Sequence, residues 1–260
     1  PDVLISQIAA GEVVERPASV VKELLENAVD AGSTEITVRI DGGGVKRICI
    51  QDNGAGIARE QLHLAVTRHA TSKIASLNDL ESVATLGFRG EALASIASVS
   101  QLTLSSFPAG QSHGWSLCNA DGQWRESPSN CPPGTTVDVQ SLYFSTPARR
   151  KFLRSEQTEY FQCLDVVKRV ALANPHIQWV VYRDGKLAAR YQAAAWASRL
   201  FTILDQLGDG ASRPVDVQQG PLHLHGSIGL PSAARGRADM QYLYVNGRFV
   251  KDKLLTHAVR

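Results

Sequence analysis

The chain has 260 residues, 43% of them hydrophobic, with a formal net charge of +2. That is enough for a sizeable core and long enough for two domains. No run of about eighteen apolar residues is present to form a membrane-spanning helix, and PDVLISQIAAGEVVERP lacks the basic-then-apolar pattern of a signal peptide, so the cytoplasm is the expected compartment.

Charge is unevenly distributed. Residues 1–145 carry 10 Lys/Arg against 16 Asp/Glu, a balance of −6; residues 146–260 carry 17 against 9, a balance of +8. The second half is therefore the candidate polyanion surface. Cys49, Cys118, Cys131 and Cys163 form no C-x-x-C pair and meet no histidine at zinc spacing. Reduced structural thiols are expected.

In chain order, Pro17 opens a predicted helix over 17–31, ended by Gly32. Val20, Val21, Leu24, Leu25, Ala28 and Val29 form its apolar side, and Glu23, Asn27 and Asp30 align on the other. EITVRI and VKRICI alternate about a DGGG turn and predict a hairpin. The tight turn Asp52-Asn53-Gly54-Ala55-Gly56 follows, then a helix near 59–66. Residues 67–90 read as a long loop, and 86–99 as a glycine-flanked turn entering a helix. Strands are predicted near 101–106, 114–118 and 135–140, a helix over 155–173, and a hairpin about Asp184-Gly185. A boundary falls near 193–195. Beyond it come an apolar helix (Trp196, Leu200, Ile203, Leu204), strands within 215–230, a hairpin at Asn246-Gly247 and a helical DKLLTHAVR. Helices and strands mix without strict βαβ alternation, which favours an α+β layered sandwich with a mixed sheet.

Four short patterns carry chemistry. Glu23 and Asn27 stand at i and i+4, about 6 Å apart between β-carbons. An Asn oxygen suits a Mg²⁺ ion that keeps water and phosphate ligands, and a Glu one turn away suits an attacking water. The same spacing also fits a plain wet helix face. In Asp52-x-Gly54-x-Gly56 the carboxylate accepts hydrogen bonds only, so it matches the amino group of adenine and repels the O6 of guanine. The alternative is an ordinary glycine turn. Gly87-Phe88-Arg89-Gly90-Glu91-Ala92-Leu93 opens a helix and fits a phosphate cradle as well as it fits a plain helix start. Gly134-Thr135-Thr136 opens a strand.

In this order, E-x-x-x-N-x-x-D-A, D-x-G-x-G, G-F-R-G-E-A-L and G-T resemble the GHKL ATPases. QIAAGEVVERPASVVKELLENAVDAG, RHATSKI, LGFRGEALASIASVS, STPARRKFL and YVNGRFV are similar to the MutL branch, the mismatch-repair ATPases, across nearly the whole chain. The resemblance implies a GHKL (Bergerat-type) α/β sandwich over residues 1–193 and a partial ribosomal-S5-like domain over 194–260. It implies ATP and Mg²⁺ as ligands, with Glu23 as general base and Asn27 as metal ligand. Asp52 would read adenine, with Gly56 and Thr135 beside the base and Ala31 lining the site. Thr71, Ser72 and Lys73 would belong to a lid. Gly87, Phe88, Arg89, Gly90, Ala92 and Leu93 would hold phosphate.

The implied partners are DNA, bound without sequence preference as duplex or single strand, and a second copy in an ATP-dependent dimer. The mismatch-recognition protein MutS and downstream nicking or unwinding enzymes follow, and no membrane. A nucleoid-associated place in a bacterial cytoplasm is expected. Arg149, Arg150, Lys151 and Arg154, with Arg248, Lys251, Lys253 and Arg260, are the candidate DNA contacts. Two departures stand out. Ser145 occupies a position where the family usually has Asn. The second-domain Lys that the family sends to the γ-phosphate lies beyond Arg260, so slow or absent hydrolysis is expected of these 260 residues. The rival reading is a nucleotide-gated DNA-binding module without useful turnover.

Overall fold

A computed structural model describes residues 14–67, 91–120, 123–204, 211–231 and 240–259. Helix α1, Pro17–Asp30, starts on a proline at a position where no intrahelical N–H is needed. It buries Val20, Val21, Leu24, Leu25 and Ala28, the face its periodicity predicts. Strands β1 (Glu35–Asp41) and β2 (Arg47–Asp52) pair antiparallel across a glycine 3₁₀ turn. Helices α2 (Arg59–Ala65) and α3 (Ala92–Ala97) follow, then β3 (Gln101–Phe107), β4 (Gly114–Ala120), β5 (Gln123–Ser129) and β6 (Gly134–Gln140). The short α4 (Pro147–Arg150) precedes α5 (Glu156–Ala173), whose N-cap Ser155 accepts the Thr158 N–H. Strands β7 (Gln178–Arg183) and β8 (Lys186–Tyr191) turn at Asp184-Gly185, both at positive φ.

These strands form one sheet in the order β5-β4-β3-β6-β2-β1-β7-β8. Only β1 and β7 run parallel, because α5 returns the chain across the sheet before β7 begins. The expected mixed sheet is present. Its helix-covered face is built in rows set by register. One row is Val181, Val38, Ile50, Val137, Leu104 and Leu117, all buried and all apolar. Each such side chain contributes about 1.5–3 kcal/mol on burial. The adjacent row is Trp179, Ile36, Asp52, Thr135 and Ser106. The core-facing side of the sheet thus turns polar along one edge, and that edge carries the site. Helices α1 and α5 pack on each other and on this face.

Two elements depart from the sequence reading. Strand β5, QWRESPS, was not expected: it offers no apolar alternation and contains Pro128, which an edge strand tolerates. The four-residue α4 is too short for periodicity to reveal. The long loop over 67–90 and the lid residues fall, from residue 68, outside the described residues.

Beyond β8, α6 (Trp196–Ile203) is amphipathic yet buries Arg199, which is 1% exposed. Its guanidinium donates to the carbonyls of Ala171 (2.8 Å), Pro175 (3.1 Å), Ile177 (2.8 Å) and Gln192 (2.7 Å). One side chain thereby ties the end of α5, the start of β7, the end of β8 and α6. Strands β9 (Ser212–Gln219) and β10 (Leu222–Gly229) pair antiparallel, as do β11 (Leu243–Val245) and β12 (Arg248–Val250) about Asn246-Gly247. Helix α7, Lys253–Ala258, is capped by Asp252. The second hairpin is fastened to α5: the Tyr244 hydroxyl donates to Arg169 O (2.8 Å), and the Arg169 guanidinium lies 4.2 Å from the Phe249 ring centre.

Candidate active site

The site begins where α1 ends. Glu23 and Asn27 stand one turn apart on the side of the helix away from its apolar face, and both are half-buried. Lys22 Nζ lies 3.4 Å from Glu23 Oε1 and 3.3 Å from Glu26 Oε1. Burial raises the Glu26 pKa, opposed chiefly by Lys22 and in part by Arg248. Along the helix Glu23 lies about 12 Å from Ala31, so its two ends are separated by roughly the reach of a nucleotide.

The turn after β2 closes onto the C-terminal end of α1. The Ala55 N–H donates to Ala31 O at 3.0 Å. Asn53 Oδ1 accepts the N–H groups of Thr34 and Glu35, both at 2.9 Å, and its amide donates to Thr34 Oγ1. A Cβ on Gly54 would stand 2.6 Å from Ala31 O and 2.7 Å from Ala31 Cβ, so only glycine lets the turn meet the helix. Gly56, at φ +74°, packs as closely on Pro108.

Asp52 occupies a core-facing strand position and is 8% exposed. Burial pushes its pKa up, while the N–H groups of Gly54 and Thr135 and the Ser33 side chain pull it back; the Gly54 bond is 2.8 Å. Thr135 and Ser106 line the same row. Ser106 Oγ lies 3.1 Å from Thr135 Oγ1, donates to Gly134 O (2.8 Å) and accepts the Ile57 N–H (2.8 Å). A Cβ on Gly134 would run into the Asp52 carbonyl, which explains a glycine directly before Thr135. The result is a carboxylate held by the Ser33 hydroxyl and the peptide N–H groups of Gly54 and Thr135, at the rim of an otherwise apolar core.

Because its folded pKa is raised, Asp52 favours the fold most when protonated, and that stability is lost as pH rises through the folded value. Asp52→Asn is therefore expected to unfold at a temperature equal to or above the parent at pH 7.5. The difference should close as pH falls to about 3 or below, where an aspartate is mostly protonated in either state. Thermal melts at the two pH values check this; a variant much less stable at pH 7.5 would contradict it.

The structure brings Asp52, Gly56 and Thr135 together and sets them against Ala31, with Asn27 and Glu23 farther along the same helix. Ala92 and Leu93 open α3, and Leu93 packs on the core. Thr71, Ser72, Lys73, Gly87, Phe88, Arg89, Gly90 and Arg260 lie outside the described residues. Ser106 and Ser33 were missed by the sequence reading. The signal for Ser106 was parity: in LTLSSF it shares the face of Leu102 and Leu104.

The basic candidates divide between two regions. Arg150, Lys151 and Arg154 are exposed and Arg149 is half-buried, between β6 and α5. Lys251 lines a cleft of about 700 Å³ with Arg169, Tyr242, Phe249, Lys253 and His257. Arg248 is half-buried, and its charge is the weakest of the influences that act on the Glu26 carboxyl.

Asn27 is the residue here that could hold a magnesium ion. Among the described residues no group of three or more His, Cys, Asp or Glu gathers to hold a metal alone. The one amide oxygen of Asn27 suits an ion that keeps phosphate and water ligands.

Comparison with known proteins bears on the fold and the family. The profile of the histidine kinase-, DNA gyrase B- and HSP90-like ATPases matches residues 15–120, and that of the DNA mismatch repair protein C-terminal domain matches residues 205–260. The ADP-complexed MutL ATPase domain of Aquifex aeolicus superposes with a TM-score of 0.73 at 28% identity, over 94% of this chain and 87% of that one. The N-terminal domain of a DNA repair protein superposes with a TM-score of 0.80 at 26% identity, over 96% and 79%. Fold and site together define a nucleotide-binding unit of the GHKL ATPase class. Over its full length the chain is 59% identical to the DNA mismatch repair protein MutL of Herminiimonas arsenicoxydans and 50% identical to that of Neisseria meningitidis serogroup A, covering 43% and 40% of those proteins. The chain belongs to the MutL family, and it spans less than half the length of these relatives.

Proposed function

We propose that the chain is the ATP-driven switch of a mismatch-repair protein: it binds ATP with Mg²⁺, hydrolyses it slowly, and uses the cycle to pair with a second copy and engage DNA. The observation that carries this reading is Asp52, a carboxylate buried among Thr135, Ser106 and Gly54 and set against the helix that bears Glu23 and Asn27. Asp52 accepts the amino group of adenine, and the glycines at 54, 56 and 134 let the backbone approach the flat base. Asn27 offers its amide oxygen to the metal, which when bound neutralises charge on the phosphates. Glu23 orients a water toward the terminal phosphate and takes its proton. At rest Lys22 stands beside that carboxylate, and Glu23 must exchange it for the water.

Similarity to MutL proteins supports coupling of this cycle to a mismatch-recognition protein such as MutS and to nicking or unwinding enzymes. No helix among the described residues is long and apolar enough to cross a membrane. The test is phosphate release from ATP by this chain. Slow release that stops when Mg²⁺ is chelated supports the reading. ATP binding without any release would favour the gated module instead.

A further inference from the structure

Cross-strand register sets Asp52, Thr135 and Ser106 side by side on one face of β2, β6 and β3. Ser106 lies beyond Thr135 from Asp52 and is 1% exposed against 7% for Thr135, so a ligand in the pocket meets Thr135 and not Ser106. A serine hydroxyl has one proton to donate and two lone pairs to accept with. At Ser106 all three are assigned. A carbonyl oxygen only accepts, so the serine proton goes to Gly134 O at 2.8 Å. The Ile57 N–H, at 2.8 Å, fills one lone pair. The remaining contact, 3.1 Å to Thr135 Oγ1, then has a single direction: Thr135 donates and Ser106 accepts. Thr135 has no second proton. Its oxygen has only lone pairs left for a ligand, and the neighbouring Asp52 carboxylate likewise only accepts.

We propose that Ser106 is a positioning residue for the choice of base: it holds the Thr135 proton away from the pocket, makes the base end of the site acceptor-only, and so turns away purines that carry an oxygen at C6. This rests on the adenine reading of Asp52 above and adds a residue that selects the base without touching it. Adenine brings an amino group to that edge and hypoxanthine brings O6, a donor against an acceptor. An O6 that faces two acceptors and no donor is left unpaired in a nearly dry place, which is the costly arrangement. With the Ser106 oxygen gone, Thr135 is free to turn its proton toward O6. A threonine hydroxyl that can turn either way serves both bases; one tied to Ser106 serves adenine.

The test is calorimetric titration of ATP and of inosine triphosphate into the 260-residue chain, Ser106→Ala, Thr135→Val and the double variant. The parent should prefer ATP. Ser106→Ala should shift the ratio of the two dissociation constants toward inosine triphosphate by about five- to tenfold, the worth of one hydrogen bond gained. In the Thr135→Val background the same serine change should leave the ratio alone, because the hydroxyl through which it acts is missing. A purely structural role would weaken both nucleotides together and not move the ratio. Should Ser106→Ala melt below the titration temperature, Ser106→Cys keeps the shape with a weak acceptor in place of the oxygen and reads the same ratio. An unchanged ratio in a folded Ser106 variant, beside a parent that prefers ATP, refutes the proposal and leaves the adenine pocket standing. A shift that persists without the Thr135 hydroxyl also overturns it. If the parent binds neither nucleotide, or both alike, the pocket assignment falls and the proposal with it.

Discussion

Glu23→Gln is expected to bind ATP as the parent does and to lose turnover by about 10²–10⁴-fold, the usual worth of a positioned general base. The amide keeps the shape and the helix, since Glu23 sits on the wet side of α1 and is 29% exposed. It cannot take a proton from water. Binding by calorimetry, followed by single-turnover hydrolysis with Mg²⁺, separates the two effects. Equal turnover in parent and variant would remove Glu23 from the chemistry. Weakened binding with unchanged turnover would make it a ligand contact.

The largest effect on stability is expected at Arg199. Arg199→Met keeps much of the side-chain volume but removes donors to four carbonyl oxygens in a buried place. Each buried acceptor left without a partner costs about 1–3 kcal/mol, and some of the four will reach water as the structure relaxes. A loss of roughly 3–5 kcal/mol is expected, a fall in melting temperature of about 6–20 °C for a chain of this size. Lysine at this position keeps the charge without the planar fork and should recover only part of it. Burial already lowers the Arg199 pKa, the sign expected of a cation held by carbonyls without a carboxylate. A Met variant as stable as the parent would mean the four contacts contribute nothing net.

The parts of the fold that could be read in advance are those with an apolar period. Helices α1 and α5, the β1–β2 and β7–β8 hairpins and the β11–β12 turn all announced themselves by spacing and by glycine with Asn or Asp. Strand β5 did not, because an edge strand needs no buried alternation. Arg199 sits in WASRLFTI, where a lone arginine in an amphipathic helix reads as a solvent-facing charge; its burial depends on carbonyls of three other segments. In the site, Asp52 was legible because glycines at 54 and 56 betray a close approach. Ser106 was not, although the parity of β3 placed a hydroxyl on the core-facing side. Long-range partners decide such cases, and composition does not carry them.

The measurement that bears most directly on the central claim is calorimetric titration of ATP and of GTP into this chain and into Asp52→Asn. The buried carboxylate predicts binding of ATP in clear preference to GTP by the parent and loss of ATP binding in the variant, whose amide presents a donor as well as an acceptor. Retained ATP binding with unchanged discrimination in Asp52→Asn, or no adenine nucleotide bound by the parent, would contradict the assignment of this pocket.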